Sequence, residues 1–269
     1  MSRPDRFGVH AEHADFPVGP AASVGLRTTG ALLEVRALDA WYGAAHILHG
    51  VSLEVGRGEV VALMGRNGAG KSTTLKAIMG MVQRRSEGLS FMGRSVTRLR
   101  PFEMARLGVG YVPEDRRVFT DLTVDENLAL GELPPRQWPD GSPAVHWTVA
   151  RLYELFPVLA PLRARLAGTL SGGEQQMLTV ARSLMGNPFV LLLDEPSEGV
   201  APIVVEQMLG MIHTLKAQGT SILLSEQNVA FARLAADRAY VLEKGVIRYS
   251  GRMDVLLEDE ALRRKYLTL

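Results

Sequence analysis

Residues 60–79 read VVALMGRNGAGKSTTLKAIM: five apolar residues, a glycine-rich turn closing on Lys71-Ser72, and a run of helix formers. That order predicts a buried strand, a tight loop and a helix start. Together they aim successive backbone N–H groups, and the positive end of a helix dipole, at a polyphosphate. Gly65, Gly68 and Gly70 permit the turn, and Arg66, Asn67, Ala69 and Thr73 complete the binding segment. Lys71 is placed to reach the β- and γ-phosphates, and Ser72 to ligate Mg²⁺.

Working outward, residues 32–38 and 47–55 alternate apolar and polar positions, which predicts half-buried antiparallel strands leading into the phosphate-loop strand. Beyond the loop helix, short strands are expected at 88–91 and 109–112 and a short helix at 101–107. The stretch from about 114 to 186 turns helical. Thr123-Val124-Asp125-Glu126 is a capping box opening a helix through Leu130, a proline-rich loop follows, and 145–156 has helical periodicity. This reads as a helical insert between two halves of an α/β core. The core resumes with a strand at 189–193, a helix at 203–217, a strand at 221–224 and short pieces from Tyr240.

The 189–193 strand runs into Asp194-Glu195. An all-apolar strand ending in two acids suits a buried parallel strand whose carboxyl end faces a ligand. Asp194 then holds the magnesium shell, and Glu195 orients the water attacking a γ-phosphate. Upstream, Ser171-Gly172-Gly173-Glu174 opens another helix. Ser171 and Glu174 form a capping box, and the two glycines leave the first amides bare for an anion. The phosphate loop already has its own helix, so this second helix start makes sense as serving the nucleotide of another subunit.

Composition narrows the partners. The 269 residues are 46% hydrophobic and 22% charged, with 30 basic against 29 acidic residues and a net charge of +1. A full core is expected, and nucleic acid is not an expected partner. The absence of cysteine excludes disulfides, thiolate metal sites and cysteine nucleophiles. No stretch approaches the ~18 consecutive apolar residues of a membrane span, and no signal-type apolar core opens the chain, so membrane action requires a partner. Residues 1–30 lack periodicity and read as a disordered extension, with His10 and His13 solvated rather than metal-binding. No internal repeat is visible.

GRNGAGKS, LSGGEQQ and LLLDEPSEG, in this order over residues 32–269, resemble the ATP-binding cassette (ABC) ATPases. The resemblance implies an α/β phosphate-loop NTPase core with a parallel sheet, an N-terminal antiparallel β subdomain and a helical signature-motif insert, the cassette covering 31–269. It implies ATP and Mg²⁺ as ligands, and two cassettes closing head to tail over two ATP molecules. It places Tyr42 where an aromatic ring stacks on adenine. Two positions depart from the general pattern: Glu114 stands where a glutamine near magnesium is expected, and Gln227 where many cassettes place a histidine facing the γ-phosphate.

Those departures, with PEDRRVF, DEPSEGVAP and SEQN, resemble the second ATPase subunit of branched-chain amino-acid importers and of relatives carrying urea or short amides. The expected assembly is a heterodimer with a sister cassette, or a pair of identical copies, under two membrane permeases fed by a periplasmic solute-binding protein. The expected location is the cytoplasmic face of the inner membrane, with residues around 114–126 as the permease contact. A DNA-directed cassette needs long coiled-coil insertions, and a ribosomal one needs two sites in one chain. Neither feature is present.

Overall fold

The computed structural model describes residues 30–261 and 264; the extension, with His10 and His13, lies outside the described residues apart from Gly30. β1 (Leu33–Tyr42) and β2 (Ala45–Val55) form an antiparallel hairpin, Leu33 opposite Val55 and Val35 opposite Leu53. Then come β3 (Val60–Met64) and α1 (Lys71–Met79), followed by β4 (Gln83–Arg85), β5 (Gly88–Phe91) and β6 (Arg94–Ser95). β4 and β5 pair with β1, and β6 with β5, so this part of the chain makes a five-stranded antiparallel sheet.

The chain continues through α2 (Pro101–Leu107), β7 (Val109–Val112), α3 (Val124–Leu130), α4 (Val149–Leu155) and α5 (Gly172–Leu184). It ends with β8 (Val190–Asp194), α6 (Pro202–Ala217), β9 (Ser221–Glu226), α7 (Val229–Ala235), β10 (Arg238–Glu243), β11 (Val246–Arg252) and α8 (Met253–Glu258). A second sheet has the order β11-β10-β3-β9-β8-β7, parallel from β10 to β7, with β11 antiparallel at the edge. Successive strands β9 and β10 flank β3 on opposite sides. The phosphate loop leaves the carboxyl end of β3 at this crossover, where open α/β sheets bind their ligands.

Why β8 is apolar up to Asp194 follows from its two faces. Leu192 enters a core shared with the antiparallel sheet and α1, where Leu33, Leu38, Leu48 and Ile78 also meet. Its neighbours Leu191 and Leu193 enter a second core with Leu128, Leu178 and Ile212 from α3, α5 and α6. A strand covered on both sides has no solvent face to make polar. Every residue of β3 and β8 is buried.

The structure differs from the sequence expectations in the helical stretch. The helix expected over 145–156 is α4, which begins at Val149, with Thr148 accepting the Arg151 N–H at 3.3 Å. Residues before Thr148 are drawn out of the helix because the Trp147 N–H donates to Asn187 Oδ1 at 2.7 Å and the indole is buried. Part of the expected insert also folds back on the core: Trp138 lies 4.6 Å from the Phe189 ring, with the Arg57 guanidinium 3.8 Å over the indole. β4, β6 and α7 were not expected, nor was β10 as a parallel neighbour of β3. The capping box at α3 does form, with Thr123 N–H to Glu126 at 2.7 Å and Glu126 N–H to Thr123 at 3.2 Å. Among the described residues no helix is long and apolar enough to cross a membrane.

Candidate nucleotide and magnesium site

The phosphate loop is shaped by what presses on it. A Cβ at Gly65 would stand 2.5 Å from the Leu242 carbonyl oxygen, and one at Gly70 would stand 2.7 Å from Leu48 Cδ2. Gly70 also sits at φ +108° and Gly68 at φ +77°, in the region L-residues avoid. Gly70 caps α1 without any side-chain bond, so the first N–H groups of the helix, at Lys71, Ser72 and Thr73, have no side-chain acceptor at the cap. Such a cradle fits a polyphosphate.

Lys71 is almost fully buried, and its ammonium donates to Gly65 O at 2.8 Å and Arg66 O at 3.2 Å. It also pairs with Glu195 Oε1 at 3.0 Å, with both side chains under a tenth exposed (2% and 8%). Burial pushes the Glu195 carboxyl up, but its hydrogen bond with Glu198 and the charge of Lys71 outweigh burial and leave it below the ordinary carboxylate range. Glu198 carries the complement: its hydrogen bond with Glu195, burial, and repulsion from Glu195 and Glu114 push it up to about 7. Glu195 itself sits at φ +45°.

Asp194, at the end of β8, gathers three donors. Ser72 Oγ donates to Asp194 Oδ1 at 2.9 Å, Ser225 Oγ to the same oxygen at 2.6 Å, and the Tyr111 hydroxyl to Oδ2 at 3.2 Å. Burial, followed by the Asp194 charge, raises the Tyr111 pKa above its ordinary value, so Tyr111 stays a donor. Ser72 Oγ and the Asp194 carboxylate offer hard oxygens at one point, which fits Mg²⁺. No group of three or more His, Cys, Asp or Glu among the described residues can hold a metal alone. Phosphate oxygens and water would complete the shell, as Mg²⁺ prefers.

The other expected site residues fall around this centre. Tyr42 ends β1 and is 47% exposed, an aromatic residue open to solvent. Glu114 is exposed on the loop after β7; the side chain from this region that reaches Asp194 is that of Tyr111. Gln227 is half-buried just past β9. Ser171 is exposed at the start of α5, its N–H donating to Glu174 Oε2 at 2.7 Å while its Oγ accepts the Glu174 N–H at 3.3 Å. Gly173 has a packing role that spacing did not reveal, whereas Gly172 meets the flexible end of the Arg116 side chain. A Cβ at Gly172 would collide with the Arg116 guanidinium, and one at Gly173 would stand 2.6 Å from Val204 Cγ2.

Sequence reasoning missed Tyr111, Glu198, Ser225 and Glu226. Tyr111 and Asp194 are 83 positions apart, and only the β7–β8–β9 register brings Tyr111 and Ser225 to the acids. Glu198 had a local signal, a third acid four residues after Asp194.

A phosphate loop on an interior parallel strand, its lysine ion-paired to one of two acids ending a nearby strand, is the apparatus of a nucleoside triphosphatase. Residues 48–198 match the model of the ABC transporter family. The chain is 42% identical to the high-affinity branched-chain amino acid transport ATP-binding protein BraG of Pseudomonas aeruginosa, over 88% of this chain and 99% of that protein. It is 35% identical to the probable branched-chain amino acid transport protein LivF of Archaeoglobus fulgidus, over 87% and 97%. It is 33% identical to the lipopolysaccharide export protein LptB of Escherichia coli, over 88% and 97%. A nucleotide-free cassette crystal structure superposes with a TM-score of 0.74 at 28% identity, covering 89% of this chain and all of the other. An ABC-transporter cassette in its ADP conformation does so with a TM-score of 0.74 at 29% identity, covering 88% and 98%. The chain belongs to the ABC transporter family, as an ATP-binding and ATP-hydrolysing cassette.

Proposed function

We propose that this cassette drives import of branched-chain amino acids. The carrying observation is the 42% identity to BraG across 99% of that protein's length. Mechanistically, Lys71 exchanges its bonds to Gly65 O, Arg66 O and Glu195 for phosphate oxygens when ATP enters. That exchange releases the Glu195 carboxylate, which orients the attacking water and accepts its proton. Tyr42 stacks on adenine, and the N–H groups from Gly65 to Thr73 hold the phosphates. Ser72, Glu114 and Asp194 would hold Mg²⁺, which would supply charge neutralisation for the phosphates. Gln227 meets the γ-phosphate as a hydrogen-bond donor.

Ser171, Gly172, Gly173 and Glu174 serve the nucleotide of a second cassette, either a sister subunit or another copy. Ser171 is exposed and Gly172, Gly173 and Glu174 are half-buried, which leaves the start of α5 within reach of a ligand. Closure over ATP then moves two permeases, fed by a periplasmic binding protein, with residues 31–269 forming the cassette at the cytoplasmic membrane face and 114–186 its helical portion. Reconstitution with sister cassette, permeases and binding protein in ATP-loaded vesicles tests the cargo. Leucine uptake that stops with Glu195→Gln is expected. Urea uptake without leucine uptake would assign the amide branch, and outward movement of lipopolysaccharide would contradict import.

A further inference from the structure

β9 ends in two polar residues that are buried as deeply as its leucines: Ser225 is 0% exposed and Glu226 2%. Ser225 stands beside Asp194 in parallel register. Its hydroxyl donates to Asp194 Oδ1 at 2.6 Å and accepts the Glu195 N–H at 3.1 Å. The Ser225 carbonyl shares that N–H, also at 3.1 Å. One hydroxyl therefore donates its only proton to the Asp194 carboxylate and accepts the backbone N–H of Glu195. Glu195 needs such an anchor, because φ +45° is strained for a residue with a side chain and persists only where neighbours hold it.

Glu226 anchors the next stretch. Its Oε1 accepts the Ser197 N–H at 3.2 Å, and its Oε2 accepts the Asn228 N–H at 2.9 Å. Two carboxylate oxygens can accept both bonds; an amide of the same shape would turn an NH₂ donor toward one of these N–H groups. Asn228 in turn accepts the Phe231 N–H at 3.1 Å and caps α7. Gln227 is thus fixed between two anchors. On the other side of β9, Leu63 and Met64 of β3 lie beside Ser225 and Glu226, immediately before the phosphate loop.

We propose that Ser225 and Glu226 are positioning residues that tie both acids to Gln227. A contact made at Gln227 then reaches Asp194 and Glu195 through Ser225, and the loop at Ser197 through Glu226. The coupling rests on the reading that Gln227 meets the γ-phosphate.

The test uses the purified full chain, with ATP hydrolysis measured against ATP and against Mg²⁺ in separate titrations. Ser225→Ala should lower kcat about tenfold or more, keep the ATP KM within about twofold, and raise the half-saturating Mg²⁺ concentration about fivefold. Ser225→Thr, which keeps the hydroxyl, should restore the Mg²⁺ dependence. Glu226→Gln should lower kcat with the ATP KM unchanged. In a double-mutant cycle, Ser225→Ala and Gln227→Ala should combine to less than the product of their separate losses in kcat. Full additivity would overturn the coupling while leaving Gln227 at the phosphate. A Gln227→Ala variant with normal kcat would overturn it by removing the reading beneath. Variants that only lower the thermal midpoint, with normal kcat and Mg²⁺ dependence, would reduce both residues to structural roles and overturn the proposal.

Discussion

Lys71 and Glu195 are a buried charge pair, so each answers for the other. Taking away one partner leaves the second ionised in a poor dielectric, which costs about 3 kcal/mol in comparable buried pairs. Lys71→Ala is therefore expected to lose most ATP affinity and also to lower stability in urea unfolding by roughly that amount. Unchanged stability would mean that the pair in the structure is dispensable. Glu195→Gln should still bind ATP but lose turnover by at least about a hundredfold, measured by single-turnover hydrolysis. Glu198 adds a pH signature. Its pKa, pushed up to about 7 from an ordinary 4.5, makes the folded chain hold a proton that the unfolded chain releases. That contribution is full below the unfolded value and fades as pH rises through about 7. Glu195, shifted downward, keeps its contribution over the same window and loses it only in acid. The thermal midpoint should fall from about pH 5 to about pH 8, and Glu198→Gln should flatten that fall. Of these residues, Lys71 and Glu195 were legible because their chemistry sits in contiguous motifs. Glu198 was not, because its meaning depends on a side-chain contact across a turn.

At the scale of elements, the packing of α5 against α6 constrains the signature helix as firmly as its cap does. Removing the cap hydroxyl with Ser171→Ala should cost about 1 kcal/mol of stability. Gly173→Ala drives a Cβ to 2.6 Å from Val204 Cγ2, on the first turn of α6. Overpacking of this kind costs about 1–3 kcal/mol, and Val204→Ala should recover most of it. Urea midpoints of the two single variants and the double variant would decide: no recovery would place the strain elsewhere. These elements also mark where sequence reading works. β3, β8 and β9 announce themselves through the apolar stretches at 60–64, 190–193 and 222–224, and α3 and α5 through capping boxes that the structure reproduces. The start of α4 was misplaced because Trp147 obeys a long-range bond to Asn187 rather than the local period. Trp138 lies in the proline-rich loop as expected, but the packing of its ring on Phe189 of the core had no local signal.

Across the whole molecule, the two halves of the machinery are differently placed. The phosphate loop, Asp194, Glu195 and Tyr111 share one hydrogen-bonded network. Ser171 is bonded to Glu174 and exposed. The surplus capped helix start at Ser171 pointed to a second nucleotide from the sequence alone, and the resemblance of LSGGEQQ to its family added the expectation of a head-to-tail partner, which a single chain does not contain. The most direct measurement is the structure of the assembled transporter carrying Glu195→Gln with ATP and Mg²⁺. Two closed cassettes are expected, with Ser171 of one hydrogen-bonded to the γ-phosphate held by Lys71 and Ser72 of the other site. ATP enclosed by a single cassette, with Ser171 far from every phosphate, would contradict it.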